Sequence, residues 1–302
     1  HVEIIAPVHN RREITLQCLR NLRLINRENL KIHIIIVDDG SSDGTGEAIA
    51  REFPGVEIVR GDGDLWYTGG INLGLKTALE YDSDYILTIN DDSQFDPNFL
   101  VNMVECAETN PRSIIGSLLL SWDEPEKLFQ VAPQWDTWFG GWRHLQNQTT
   151  STVPDEAFDV GLIVGNCVLF PTKAVRENGF MNARLFPHFG DAEYTPRMRK
   201  NGWRLLIEPK AKVFCKPNDV PKRLSGMSLS QLYQFLWADL RKPHNLRCRF
   251  NSYWMSAPTK IQAVAAFNIF IVRLGLKFVG LGGNYPNGWR EKTLKELTQK
   301  NA

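Results

Sequence analysis

Between residues 2 and 120 this sequence alternates short apolar runs with amphipathic stretches, and that alternation restricts the fold more than any other feature. "VEIIAPV" (2–8) reads as a strand and Glu13 to Ile25 as a helix. "IHIIIV" (32–37) is a short apolar run of the kind found in strands covered on both faces. "SSDGTGEAIAREF" opens on a Ser/Asp cap signal and continues as a helix. "VEIVRG", "YILTIN" and "SIIGSLLL" read as further strands, separated by helices over Gly70 to Glu80 and Pro97 to Glu108. Strands and helices in such an order predict a parallel, doubly wound α/β sheet.

Residues 121 to 156 break the pattern. They hold four of the nine tryptophans, Trp122, Trp135, Trp138 and Trp142, together with Gly140 and Gly141, and read as a long functional loop. Strand signals return in "FDVGLIV", "NCVLF", "WRLLIE" and "AKVFC". After Pro217 the chain turns mostly helical, so we expect an α/β body over residues 1–217 and a helical C-terminal extension over 218–302. With 302 residues, 43% of them hydrophobic, the chain is long enough for a large core. The longest apolar segment, Ile261 to Leu281, contains Gln262, Asn268, Arg273 and Lys277. Those side chains are costly inside a bilayer, so the segment reads as a core or interfacial helix.

A formal net charge of +1 gives no bulk attraction to nucleic acid. Five cysteines without a CxxC pair fit a reducing compartment and argue against a disulfide framework or structural zinc. No leader segment is visible, and the chain opens directly on a strand, as if a few residues had been trimmed before His1. The expected location is cytoplasmic.

Two strands end in acids: "IHIIIV" runs into Asp38, Asp39, Gly40 and Ser41, and "YILTI" into Asn90, Asp91 and Asp92. Parallel strands put their carboxyl ends on one edge, where open α/β sheets bind ligands. Crowded carboxylates repel unless a cation or hydrogen-bond donors compensate. A hard divalent cation, its shell completed by phosphate oxygens, would satisfy them. Solvated turns are the alternative, since Asp and Asn favour them.

The motifs "PVHN" (7–10), "VDDGSSDGT" (37–45), "GGINLG" (69–74), "INDDS" (89–93), "GNCVLFPTKAVRENGF" (165–180) and "FGDAEYTPRMRKNGW" (189–203) occur in the order found in family 2 glycosyltransferases. The resemblance covers roughly residues 2 to 215 and is nearest to bacterial rhamnosyltransferase-like members acting on cell-surface polysaccharides. It implies the GT-A fold, a mixed, mostly parallel sheet flanked by helices, with a nucleotide-sugar half over about 1–120 and an acceptor half over about 121–217. It implies that Pro7, Val8, Asp38 and Asp39 hold the nucleotide, a carboxylate accepting from a pyrimidine base. It makes Asp92 the principal ligand of Mg2+ or Mn2+, with Asp91 near the ribose or the metal. The cation would stabilise charge gathering on the departing diphosphate. Gly70 and Asn72 either let the backbone approach the donor and touch phosphate or sugar, or form a turn feeding a helix.

A sugar hydroxyl is a poor nucleophile, and direct displacement needs a general base opposite the leaving group. The resemblance puts that base at Asp191 in "FGDAEYTPR", whose other ordinary role would be a helix N-cap. One base without a second nucleophile implies inversion. Glu193 either orients the acceptor or pairs with Arg197 at i,i+4. Asn166 falls where the family lines its acceptor site. The tryptophan segment including Trp142 either stacks on sugar rings or forms a satellite hydrophobic cluster.

The chain departs from the family after its last strand. A histidine common there, completing the metal site, is replaced by Cys215, a softer ligand poorly matched to Mg2+. Cys215, a water or another side chain such as His188 would then be the third ligand. The extension lies outside the resemblance, and its basic and aromatic amphipathic stretches suit a membrane surface, a lipid-linked acceptor, or packing against the body or a second copy in a homodimer. The expected partners are a dTDP- or UDP-sugar donor and a saccharide or lipid-linked acceptor, met at the inner face of the plasma membrane. A nucleotidyltransferase would want a glycine-rich loop with a basic residue straight after the first strand, where "APVHNRRE" has no glycine, and a dinucleotide oxidoreductase would want GxGxxG after a strand, which the sequence does not contain. A non-catalytic sugar-nucleotide or glycan-binding module on the same fold is the alternative from another class.

Overall fold

A computed structural model of the chain describes residues 1–145, 148–216, 227–242 and 245–278. Its first half follows the predicted alternation: β1 (Val2–Val8), α1 (Arg12–Leu22), β2 (Ile32–Asp38), α2 (Thr45–Glu52), β3 (Glu57–Arg60), α3 (Trp66–Ala78), β4 (Tyr85–Ile89), β5 (Gln94–Phe95), α4 (Phe99–Thr109) and β6 (Ser113–Ser121). The second half adds β7 (Val131–Asp136), β8 (Gly141–Leu145), β9 (Phe158–Asp159), β10 (Cys167–Pro171), α5 (Thr172–Asn178), α6 (Asp191–Lys200) and β11 (Arg204–Cys215). Beyond these lie α7 (Leu229–Tyr233), α8 (Leu246–Ser256) and α9 (Lys260–Phe278).

The main sheet runs β3-β2-β1-β4-β10-β6-β11-β5, with β9 also paired to β11. β3, β2, β1 and β4 are parallel neighbours, as are β6 and β11. β10 is antiparallel to both β4 and β6, which makes the sheet mixed. It also turns the start of β10 toward the edge where β1, β2 and β4 end. One hydrophobic core spans the sheet and its helices, with β6 buried along all but its last residue.

Three local readings are corrected. "WRLLIE" and "AKVFC" are not two strands but the single β11, whose register against β6 shifts between Glu208 and Lys212. Pro209 falls in that gap, where it cannot donate to the ladder. The helix expected from Gly70 begins at Trp66, so both Gly69 and Gly70 lie inside α3. Gly70 and Gly74 are needed because the helix lies against β1: a Cβ on Gly70 would sit 2.7 Å from Pro7 Cβ, and one on Gly74 2.3 Å from Ile5 Cγ2. The tryptophan segment is not a plain loop. It folds into the β7–β8 hairpin, a separate two-stranded sheet.

That hairpin packs with the extension. Tyr253, Ala257, Ala263 and Ala266 form a second small core against Trp135, Phe267 and Phe270. Asn245 caps α8 by accepting from Cys248 N at 3.0 Å, and Ser228 with Gln231 forms a capping box at α7. No helix among the described residues is long and apolar enough to cross a membrane. The expected boundary at Pro217, and the end of the apolar segment beyond Phe278, lie outside the described residues.

Candidate active site

The carboxyl ends of β1, β2 and β3 are locked together by backbone hydrogen bonds. Asp39 N donates to Val8 O at 2.9 Å and Gly61 N to Asp38 O at 2.8 Å. Pro7 and Val8 therefore flank the two aspartates directly, opposite Val37 and Asp38. Asp38 is buried and accepts from Ser41 N at 3.0 Å. Asp39 is buried too, and its carboxylate takes three backbone donors: Gly63 N at 2.8 Å, Leu65 N at 3.0 Å and Trp66 N at 3.2 Å. It thus caps α3 from a different strand, which is why the helix starts where no local cap signal marks it. An ionised carboxylate offers about four acceptor positions, so one remains for an N–H of a ligand.

At the end of β4, Asp91 is buried and Asp92 is partly open to solvent. Arg11, three residues after β1, forks between them: one guanidinium nitrogen lies 2.8 Å from Asp91 Oδ1 and the other 2.8 Å from Asp92 Oδ2. Asp91 Oδ2 accepts from the Thr15 hydroxyl at 2.9 Å. Burial pushes the Asp91 carboxyl up to about 6, with Arg11 and the Thr15 hydrogen bond pulling the other way.

These positions test the expected metal set. Both Asp91 oxygens already accept a hydrogen bond, one from Arg11 and one from Thr15, which leaves Asp92 the more accessible of the two carboxylates. Cys215 is buried, 3.9 Å from Ser93 Oγ and 3.8 Å from Asn166 Nδ2. Burial raises its thiol to about 12. Its soft sulfur is poorly matched to a hard cation. His188 stacks edge-on against Trp66 instead, with ring centroids 4.8 Å apart. No group of three His, Cys, Asp or Glu side chains among the described residues is placed to hold a metal. The donors fit a hard cation only through Asp92, with diphosphate and water completing its shell, a coordination Mg2+ readily accepts.

Asp191 opens α6 and meets this edge through β10. Its Oδ2 accepts from Gly165 N at 2.9 Å, and Gly165 O accepts from the Tyr67 hydroxyl at 2.8 Å. Asn166 follows, its backbone O accepting from Asn90 N at 3.0 Å. The base candidate, the acceptor-side asparagine and the acidic motif thus share one stretch of backbone. Burial raises the Asp191 pKa, offset in part by the Gly165 N–H. The backbone N–H groups of Ala192 and of Asp191 itself also favour the charged carboxylate, as expected where a side chain opens a helix.

Four expected site residues are held elsewhere. Asn72 spends both ends of its amide on Met181, donating to its O at 2.8 Å and accepting from its N at 2.9 Å. Gly70 makes its close approach to Pro7, not to a ligand. Glu193 is 1% exposed and ion-paired with Arg197, the i,i+4 alternative. Trp142 donates to Ser256 Oγ at 2.9 Å and lies edge-on to Trp135, within the satellite cluster. Sequence reasoning passed over Arg11 and Thr15. Arg11 in "VHNRRE" was the visible signal, a cation on the same strand edge as the acids.

The extension reaches the same region. Arg241 lies over the Trp66 ring, 4.8 Å from its centroid, and bonds Asp239 at 2.7 Å. With Asp64, Leu65, Gly69, Arg184 and Pro187, the pair lines a cleft of about 370 Å3.

Comparisons with known proteins agree with this layout. The chain is 24% identical over 203 residues to an N-acetylglucosaminyl-diphospho-decaprenol L-rhamnosyltransferase of Mycobacterium tuberculosis, covering 60% of this chain and 66% of that relative. A crystal structure of GalNAc-T7 with UDP, GalNAc and Mn2+ superposes with a TM-score of 0.59 at 13% identity, over 88% of this chain and 54% of that one. A structure of Staphylococcus aureus TarS, residues 1–349, gives 0.55 at 11% identity, over 89% and 70%. Such low identities establish a shared fold, the GT-A architecture. The sequence profile described as "Glycosyl transferase family 2" matches residues 3–175, more than half of the chain, and the chain belongs to that family.

Proposed function

We propose that this chain is an inverting glycosyltransferase that moves a sugar from a pyrimidine nucleoside diphosphate to a saccharide hydroxyl. The observation that carries the reading is Asp191: a carboxylate oriented by Gly165 N, with a raised pKa, on the edge shared by Asp39 and Asp92. In the proposed step the acceptor hydroxyl loses its proton to Asp191 Oδ1 as its oxygen bonds to the anomeric carbon. The bond from that carbon to the diphosphate oxygen breaks on the opposite face, and the nucleoside diphosphate leaves. Pro7, Val8 and the free acceptor position of Asp39 receive the nucleotide, and Asn166 lines the acceptor side. A Mg2+ or Mn2+ bound with the donor through Asp92 supplies charge neutralisation to the diphosphate.

The name of the relative, an L-rhamnosyltransferase of N-acetylglucosaminyl-diphospho-decaprenol, supports rhamnose as the sugar moved and a lipid-linked saccharide as acceptor; with a pyrimidine nucleotide the proposed donor is dTDP-rhamnose, and the proposed setting is cell-surface polysaccharide synthesis. A TarS structure with UDP-GlcNAc supports a UDP-sugar instead. The exposed Ile261, Val264 and Val272 on α9, near Lys260, support a peripheral contact of the extension with the cytoplasmic face of the membrane. A second reading, a non-catalytic sugar-nucleotide or glycan-binding module, draws on Cys215 standing where many members of the family carry histidine.

Thermal shift with UDP, dTDP, GDP and CDP, with and without Mn2+, tests the donor site. A ligand that binds only the folded state raises the melting temperature by mass action. Stabilisation by a pyrimidine diphosphate, strengthened by Mn2+ and lost in Asp92→Ala, is the expected result. No shift with any nucleotide refutes the transferase reading and leaves the binding module.

A further inference from the structure

We propose that Arg11 is the resident counter-ion of the Asp91–Asp92 pair and competes with a divalent cation for Asp92, so that metal and diphosphate bind only together. The inference rests on the proposed donor site and goes beyond it by assigning a role to a residue outside the expected motif.

Two adjacent carboxylates at a strand end, one of them buried, need compensating charge. In this chain that charge is covalent. The Arg11 fork places one nitrogen on each carboxylate, both at 2.8 Å, in the planar geometry that makes guanidinium–carboxylate contacts strong and directional. Asp92 is the only carboxylate of the pair with an unbonded oxygen, and its other oxygen is held by Arg11. Little rewards a cation for displacing the arginine, because no group of three His, Cys, Asp or Glu side chains among the described residues is placed to hold a metal. A bare cation therefore faces an occupied and largely neutralised site.

A diphosphate changes that balance. It is a better planar-fork partner than a single carboxylate and brings oxygens that complete a cation's shell. Arg11 is anchored at the start of α1, immediately past the end of β1 where the nucleotide is proposed to lie, so its long side chain can exchange a carboxylate for a phosphate by rotation alone. Arg11 then serves the reaction as a positioning residue, keeping the acidic motif closed to free metal and opening it to the donor complex. By thermodynamic reciprocity, the factor by which nucleotide tightens metal must equal the factor by which metal tightens nucleotide.

The test is Mn2+ binding by electron paramagnetic resonance on the full chain, first with Mn2+ alone and then with UDP or dTDP added. Wild type should bind Mn2+ alone weakly and gain at least tenfold when the nucleotide is present. Arg11→Gln should bind Mn2+ alone about tenfold more tightly than wild type, and the gain from nucleotide should shrink. Adding Asp92→Asn to Arg11→Gln should abolish the new affinity. Arg11→Lys, which keeps the charge and relieves the risk that a bare Asp91 unfolds the protein, should fall between the two. Unchanged or weaker Mn2+ binding in a folded Arg11→Gln overturns the competition, as does wild type that binds Mn2+ equally with and without a bound nucleotide. Failure of every nucleotide to bind would instead sink the donor-site reading, while the arm with Mn2+ alone still decides the role of Arg11.

Discussion

Replacing Asp191 with asparagine separates chemistry from binding. Asparagine keeps an oxygen able to accept from Gly165 N, the 2.9 Å contact that orients the side chain. It loses the ability to take a proton. General-base catalysis contributes about 10^2 to 10^4 in rate. The raised pKa of Asp191 makes it a stronger base than an ordinary carboxylate, so a loss near 10^3 is expected, roughly 4 kcal/mol of transition-state stabilisation. Stability should move the other way. Burial favours the protonated form, so the contribution of Asp191 to folding is full below the unfolded-state pKa and is lost as pH rises through the raised folded value. At pH 8 the ionised group is a cost that asparagine removes, and Asp191→Asn should melt at the same temperature as wild type or slightly above. The assay is nucleotide release in the presence of acceptor, run beside nucleotide titration and thermal melts. Wild-type rate should climb with pH through a pKa above the ordinary carboxylate range, and the variant's residual rate should lack that rise. Transfer retained within tenfold of wild type would refute the base assignment. A matching loss of nucleotide affinity would show that Asp191 acts through structure.

Two further outcomes test the site assignments. Asn72→Ala removes two hydrogen bonds to Met181, about 1 kcal/mol each, and should lower the melting temperature by roughly 4 to 8 °C while nucleotide affinity stays within threefold; a tenfold loss of affinity without a lower melting temperature would restore Asn72 to the donor site. Cys215→Ala should leave the Mn2+ concentration for half-maximal transfer unchanged, because a soft, buried sulfur is a poor partner for a hard cation, and a tenfold increase would establish Cys215 as a ligand.

Periodicity and strand-end chemistry were enough to specify the α/β alternation, the shared carboxyl edge, and the placement of Asp38, Asp39, Asp91 and Asp92 upon it, whereas Asp191 was legible only through the family resemblance. These are properties of short segments: an apolar run makes a strand wherever it lies, and parallel strands must share an edge. What the local pattern could not contain was which partner each polar group would find. Asp39 caps α3 from 26 residues away, Arg11 reaches across some 80 residues to Asp91 and Asp92, and Trp142 bonds Ser256 114 residues on. Asn72 and Gly70 looked like ligand contacts because residues that approach a ligand closely and residues that approach another backbone closely have the same size and polarity. Only the packed fold distinguishes the two, since burial obliges each polar group to take whichever partner the surrounding chain brings within hydrogen-bonding distance.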